Sequence, residues 1–160
     1  MDLSTVVWTV VLSVLPIFEL RGAMPYALLN RMPLAAAFAL CVAANALVSP
    51  FMYLFLSTVH TALSRWGWYR SVFDRLIGRA RKKVKPVIDK YGYWGLAIFV
   101  GIPLPMTGAY TGTLGAWVLG MEPRKAFVAV TAGVLMAGVI VATVSVLGIK
   151  ALSIFVAPPA

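Results

Sequence analysis

Glu19 and Arg21 stand two residues apart in an otherwise apolar stretch, Leu15-Pro16-Ile17-Phe18-Glu19-Leu20-Arg21-Gly22-Ala23. Ionisable groups at membrane depth are costly and ordinarily face a cavity or a partner. Two positions apart they would not share a face of a regular helix. In a stretch interrupted by Pro16 both can turn toward one cavity. Arg21 precedes a restarting helix, whose first amides carry partial positive charge. A guanidinium beside free N–H groups suits a phosphate or a carboxylate. Glu19 would neutralise Arg21 in the empty state, or exchange protons, because burial and a nearby guanidinium pull its proton affinity in opposite directions. The bland alternative is a structural ion pair that holds a hairpin.

A second segment, Ile102-Pro103-Leu104-Pro105-Met106-Thr107-Gly108-Ala109, repeats the device: proline interrupts an apolar run, polar groups enter, and Gly-Ala restarts it. It offers an amide end at Gly108-Ala109 and hydroxyls on Thr107, Tyr110, Thr111 and Thr113. The candidate substrate-binding residues are Glu19, Arg21, Gly22 and Asn45 in the first half. In the second they are Pro103, Pro105, Thr107, Gly108, Tyr110 and Thr111. Asn45 lies mid-span, where a buried amide must find partners, and the broken backbone of a hairpin is the first to consider. Broken helices are tolerated in a bilayer only where protein or a wet cavity surrounds them. Paired breaks in two halves point to a transporter site at the midplane. Two unrelated Pro-Gly kinks in ordinary spans are the alternative.

The elements that position these residues belong in a membrane. The 160-residue chain is 61% hydrophobic and 12% charged, against about 25% charged in a soluble domain, and its mean hydropathy is +0.90. Only two runs reach the roughly 20 apolar residues of a full span, residues 33–57 and 125–156. The pieces 3–15 with 23–30, and 93–102 with 108–121, are shorter and flank the breaks. The expected fold is an all-α integral membrane protein of two inverted repeats. Each repeat is a re-entrant helical hairpin followed by a transmembrane helix, and a cytoplasmic amphipathic helix joins them. The boundaries are 1–59 for the first repeat, 60–91 for the linker and 92–160 for the second, in one membrane domain.

Charge sets the expected orientation. Of fourteen Lys and Arg, nine fall between Arg65 and Lys90, a cluster that reads as a cytoplasmic anchor on anionic lipid rather than a nucleic-acid surface. Residues 68–91 carry an apolar stripe, from Tyr69 and Phe73 through Ala80 and Val84 to Tyr91, opposite a basic face. Such a helix lies in the membrane interface or packs under the protein as a scaffold. Small residues recur every fourth position at Gly108, Gly112, Ala116 and Gly120, and at Ala35, Ala39 and Ala43, a spacing for close helix contacts. Cys41 reads as a packing residue and His60 as an interfacial one. No metal, cofactor or enzymatic activity is expected, since the chain has one His, one Cys and no nucleotide loop. Residues 1–15 do not read as a signal peptide.

At Leu15-Pro16-x-x-Glu19-Leu20-Arg21-Gly22-Ala23-x-Pro25 and Ile102-Pro103-Leu104-Pro105-x-Thr107-Gly108-Ala109-Tyr110-Thr111-Gly112 the chain resembles the small multi-drug export protein family. That family in turn resembles the DedA/VTT membrane proteins, which use two re-entrant hairpins and include members implicated in moving polyprenyl phosphates or other phospholipids, with proton coupling proposed. The resemblance implies such a fold and such a substrate class. In DedA proteins an arginine usually stands near the second proline; here Met106-Thr107 occupies that place.

The expected function is a multi-pass transporter or lipid flippase of a prokaryotic cytoplasmic membrane. It would move an anionic, phosphate-bearing substrate such as a polyprenyl phosphate, with protons possible as coupling ion, membrane lipids as partners and a homodimer as assembly. One alternative is an exporter of cationic amphiphilic drugs with Glu19 as the cation site. Another is a non-transporting membrane scaffold built on the basic helix.

Overall fold

A computed structural model describes residues 2–63, 66–104 and 107–156, without the side chains of residues 61, 62 and 150–156. Among the described residues the chain is helical and carries no strand. The helices are α1 (Leu3–Val14), α2 (Glu19–Leu29), α3 (Leu34–Ala46), α4 (Val48–Leu63), α5 (Gly67–Gly101), α6 (Ala109–Val118) and α7 (Pro123–Val156). Among the described residues two stretches are long and apolar enough to cross a membrane, Leu34–His60 through α3 and α4, and Pro123–Ile149 within α7. They fall on the two full spans read from sequence. Helices α1, α2 and α6 have 12, 11 and 10 residues. At about 1.5 Å per residue none of these three reaches across a hydrocarbon core of about 30 Å. The chain divides by packing into two compact units, residues 1–45 with 137–160, and residues 46–136.

In the first unit α1 lies against α2. Its amphipathicity is the reverse of a soluble helix: Thr5, Thr9 and Ser13 are buried while Leu3, Val7, Trp8 and Val11 are exposed. Lipid is the solvent that accepts such a face, because in water it would be an association surface. Leu20, Ala23, Met24 and Ala27 of α2 are buried. Helix α2 ends where Arg31 takes the left-handed conformation (φ 60) and the Met32 N–H reaches the Ala27 carbonyl at 3.0 Å. That pattern closes a helix terminus, and Pro33 follows. Gly138 of α7 meets Val42 and Phe38 of α3 so closely that a Cβ there would fall 2.9–3.0 Å from their side chains.

In the second unit α5 is two helical arms, 67–91 and 93–101, separated at Gly92, whose φ of 57 and ψ of −133 only glycine adopts readily. This break lies where the amphipathic stripe ends in the sequence. Part of the stripe packs inward: Phe73 and Ala80 join Leu56 of α4 and Leu114 of α6 in one core, flanked by Met52, Tyr69, Ile77, Trp117 and Val118, while Val72, Leu76 and Tyr91 stay exposed. The arm therefore acts as a scaffold under α4 and α6, with its basic face exposed. His60 completes the contact, its ring 4.0 Å from that of Phe73 and 5.7 Å from that of Trp117, with the Tyr69 hydroxyl 3.3 Å from Nδ1. Burial pushes the Tyr69 phenol up, so it stays neutral.

The small residues divide by role. Gly112 touches Val100 and Leu96, so it serves packing as its spacing suggests. Gly120 does not: it has φ 69 and open space around it, and the Met121 N–H reaches back to the Ala116 carbonyl at 2.9 Å, which makes it the terminating glycine of α6. Gly108 also caps. Ala35, Ala39 and Ala43 are exposed along α3 rather than packed within the chain.

Candidate functional site

The first break is a compact reversal. The Leu15 N–H still reaches the Val11 carbonyl at 3.0 Å, and the Glu19 N–H closes onto the Leu15 carbonyl at 2.9 Å. Pro16 cannot continue α1, because it has no N–H and collides with the preceding turn. Glu19 then takes φ 47, a left-handed conformation that costs a side-chain-bearing residue on the order of 1–2 kcal/mol. Such strain persists only where the surroundings enforce it. Glu19 is 6% exposed, whereas Arg21 in the same first turn of α2 is half-buried, and the Glu19 charge acts on the Arg21 guanidinium. Gly22 lies against Phe18: a Cβ there would meet the Phe18 ring at 2.9 Å. Pro25 supplies no N–H to the turn that starts at Arg21.

A polar seam leads to this break that the sequence reading did not single out. Thr9 Oγ1 donates to the Thr5 carbonyl and Ser13 Oγ to the Thr9 carbonyl, each at 2.7 Å. Asn45 Nδ2 of α3 donates to the Ser13 carbonyl at 2.9 Å, and the Cys41 thiol hydrogen bonds the Ser13 side chain. The signal in the sequence was the recurrence of hydroxyls at every fourth residue of an apolar run. Asn45 does meet the backbone of the first hairpin. Its Oδ1 is buried with no hydrogen-bond partner among the described residues. Helix-to-helix hydrogen bonds in membranes average about 0.6 kcal/mol, so Asn45→Ala should lower stability by only about 1 kcal/mol in a detergent melting series. A loss several times larger would mean the Asn45 amide organises the whole unit.

The second break is tied by its own residues. Thr107 Oγ1 lies 2.8 Å from the carbonyls of Ile102 and Leu104, to either of which it can donate, and it accepts the Leu104 N–H at 3.2 Å. Pro103 is half-buried within this turn. Pro105 lies outside the described residues. Gly108 starts α6 at φ 147 and ψ −169, a region essentially restricted to glycine. Gly108→Ala should cost about 1–3 kcal/mol, measurable as a lower midpoint in thermal unfolding; an unchanged midpoint would show that the turn re-forms without this geometry. Tyr110 and Thr111 are half-buried in the first turn of α6. Thr113 is fully buried, with no partner for its hydroxyl among the described residues. No group of three or more His, Cys, Asp or Glu suited to a metal occurs among the described residues.

Each unit thus holds one proline break followed by a short helix. The first break carries an acid and a base two residues apart, one buried and one half-buried. The second carries hydroxyls and a glycine cap. Comparison with curated proteins and with solved structures finds no match. A family model does match, over residues 19–140, from Glu19 at the first break, through the second, and into α7. The chain belongs to the family described as "Putative small multi-drug export protein".

Proposed function

We propose that this membrane protein is a carrier, not an enzyme, and that its substrate is anionic and phosphate-bearing, a polyprenyl phosphate being the type case. The observation that carries the reading is the unequal burial of the Glu19–Arg21 pair. Glu19 is 6% exposed and Arg21 is half-buried, so a ligand reaches the cation and not the acid. A guanidinium at the start of a helix presents a planar fork to phosphate oxygens, with the first-turn amides adding to it. Glu19 holds Arg21 in the empty state and exchanges a proton when the anion arrives. The breaks act as re-entrant hairpins in two inverted repeats, with the basic arm of α5 at the cytoplasmic face of a prokaryotic cell membrane. The protein works as a homodimer, for which the exposed Ala35, Ala39 and Ala43 supply a close-approach face.

The second reading, export of cationic amphiphiles, is favoured by the family's description and would make Glu19 the binding charge. Translocation of a labelled polyprenyl phosphate into proteoliposomes, with and without a pH gradient, separates the two. Activity lost in both Glu19→Gln and Arg21→Gln supports the anion carrier. Drug protection that falls more with Glu19→Gln than with Arg21→Gln supports the exporter. No activity above empty liposomes from folded protein sinks the anion reading.

A further inference from the structure

The second arm of α5 and the start of α7 touch at one level and part below it. A Cβ on Gly133 would fall 2.6 Å from the Ala97 carbonyl oxygen, and one on Gly101 would fall 3.1 Å from Met136 Cβ. These pairings make the two helices parallel and close at Ala97–Gly133. Toward their N-terminal ends they open into a groove of about 420 Å³, within the range of small-ligand sites. Trp94 and Ala97 line one wall and Arg124, Val128 and Ala132 the other. The last three lie four residues apart on one face of α7, a track of about 12 Å. Its depth is apolar and its mouth carries Arg124 and Lys125. The two cations are not equivalent. Lys125 is held by Glu122 at 2.7 Å, whereas no carboxylate pairs with Arg124 among the described residues. Trp94 is 78% exposed beside that mouth, where an indole suits the boundary between head groups and acyl chains.

We infer that this groove is a binding site for an anionic phospholipid of the surrounding bilayer, with its phosphate on Arg124 and an acyl chain along Ala97, Val128 and Ala132. Charge complementarity selects the occupant. A cationic amphiphile would bring like charge to Arg124, and a zwitterionic lipid offers a phosphate already neutralised by its own ammonium. Basic pockets between membrane helices hold anionic head groups for the same reason. The site shares no residue with the Glu19–Arg21 break and does not depend on what the protein transports.

Trp94 reports on its own groove. The full chain is placed in phosphatidylcholine liposomes containing either brominated phosphatidylglycerol or brominated phosphatidylcholine at equal mole fraction. The Trp94 share of the quenching is obtained by difference from Trp94→Phe. Phosphatidylglycerol is expected to quench it more strongly, and Arg124→Gln to lower that preference about fivefold, the worth of one basic residue near an anionic surface. Glu122→Gln, which releases Lys125, is expected to raise the preference. Equal quenching by the two lipids overturns the inference, as does a preference that survives Arg124→Gln or one that Glu122→Gln leaves unchanged or lowers. Shielding of Trp94 from both lipids that grows with protein density would give the groove to a second copy and also overturn it.

Discussion

Arg21→Gln should reduce translocation of a labelled polyprenyl phosphate by about a hundredfold, the effect of losing a charge that binds through buried hydrogen bonds, while the circular dichroism spectrum stays helical. The weight of this prediction lies in what the partner residue does. Glu19→Gln leaves the guanidinium in an apolar unit without its counter-charge. Removing one member of a fully enclosed pair costs roughly 3–5 kcal/mol; Arg21 is half-buried, so the loss should fall below that range. The double variant, Glu19→Gln with Arg21→Gln, removes both charges and should recover most of the lost stability, since replacing both members of a buried pair is often neutral. It should not recover transport. A merely structural pair behaves otherwise: transport would follow stability, falling in each single variant and returning in the double. Restored transport in the double variant, or normal transport in Arg21→Gln alone, would remove the site from the first break.

Gly95→Val should be the most damaging single substitution in the second unit. A Cβ at Gly95 would overlap the backbone carbonyl oxygen of Val87 and lie 3.2 Å from Tyr91 Cβ. No rotamer relieves a collision with backbone, so the two arms of α5 must move apart across Gly92. Overpacking typically costs 1–3 kcal/mol and occasionally more; with backbone as the obstacle the expected cost is about 3 kcal/mol. Gly78→Ala is the control within the same helix. Nothing lies within 4 Å of where its Cβ would be, so exchanging glycine for alanine should stabilise by up to about 1 kcal/mol. Melting curves in one detergent decide it: a Gly95→Val midpoint equal to that of the parent would mean that the arms do not meet as closely as Val87 and Gly95 imply.

Much of the helical order was legible because proline and glycine act locally. Pro16 and Pro103 each mark a break that proline enforces whatever surrounds it, whereas the break in α5 falls at Gly92 and not at Pro86, where the sequence offers a proline. The Leu34–His60 run turns at Leu47, where Pro50 withholds its N–H from the preceding turn. The roles of the small residues were less legible. A spacing of four fits a packed face, an exposed face or a capping turn alike, so Gly112, Ala39 and Gly120 read the same and do different things. At the site, Glu19 and Arg21 stood out by their rarity in an apolar run. The hydroxyl seam of Thr5, Thr9 and Ser13 was not, because threonine and serine satisfy themselves on their own helix in lipid and leave little mark on hydropathy. Nor did the sequence show that Thr107 laces its own turn: that depends on backbone carbonyls brought back by Pro103, not on any residue type.

The division into units also sets an order of assembly. Residues 46–136 are contiguous, so that unit can fold as soon as its chain is made. The other needs residues 1–45 together with 137–160, and its α1 and α2 are too short to hold a bilayer position alone. The helix pair that carries Glu19 and Arg21 is synthesised first and completed last, its charges waiting for the end of α7. Contacts between distant stretches of chain form slowly, and exposed intermediates are the ones that aggregate or are degraded. Shortening α7 within residues 137–149 would therefore strand the first hairpin and spare the second, a defect of biogenesis that would look, in a transport assay, like a defect of the site.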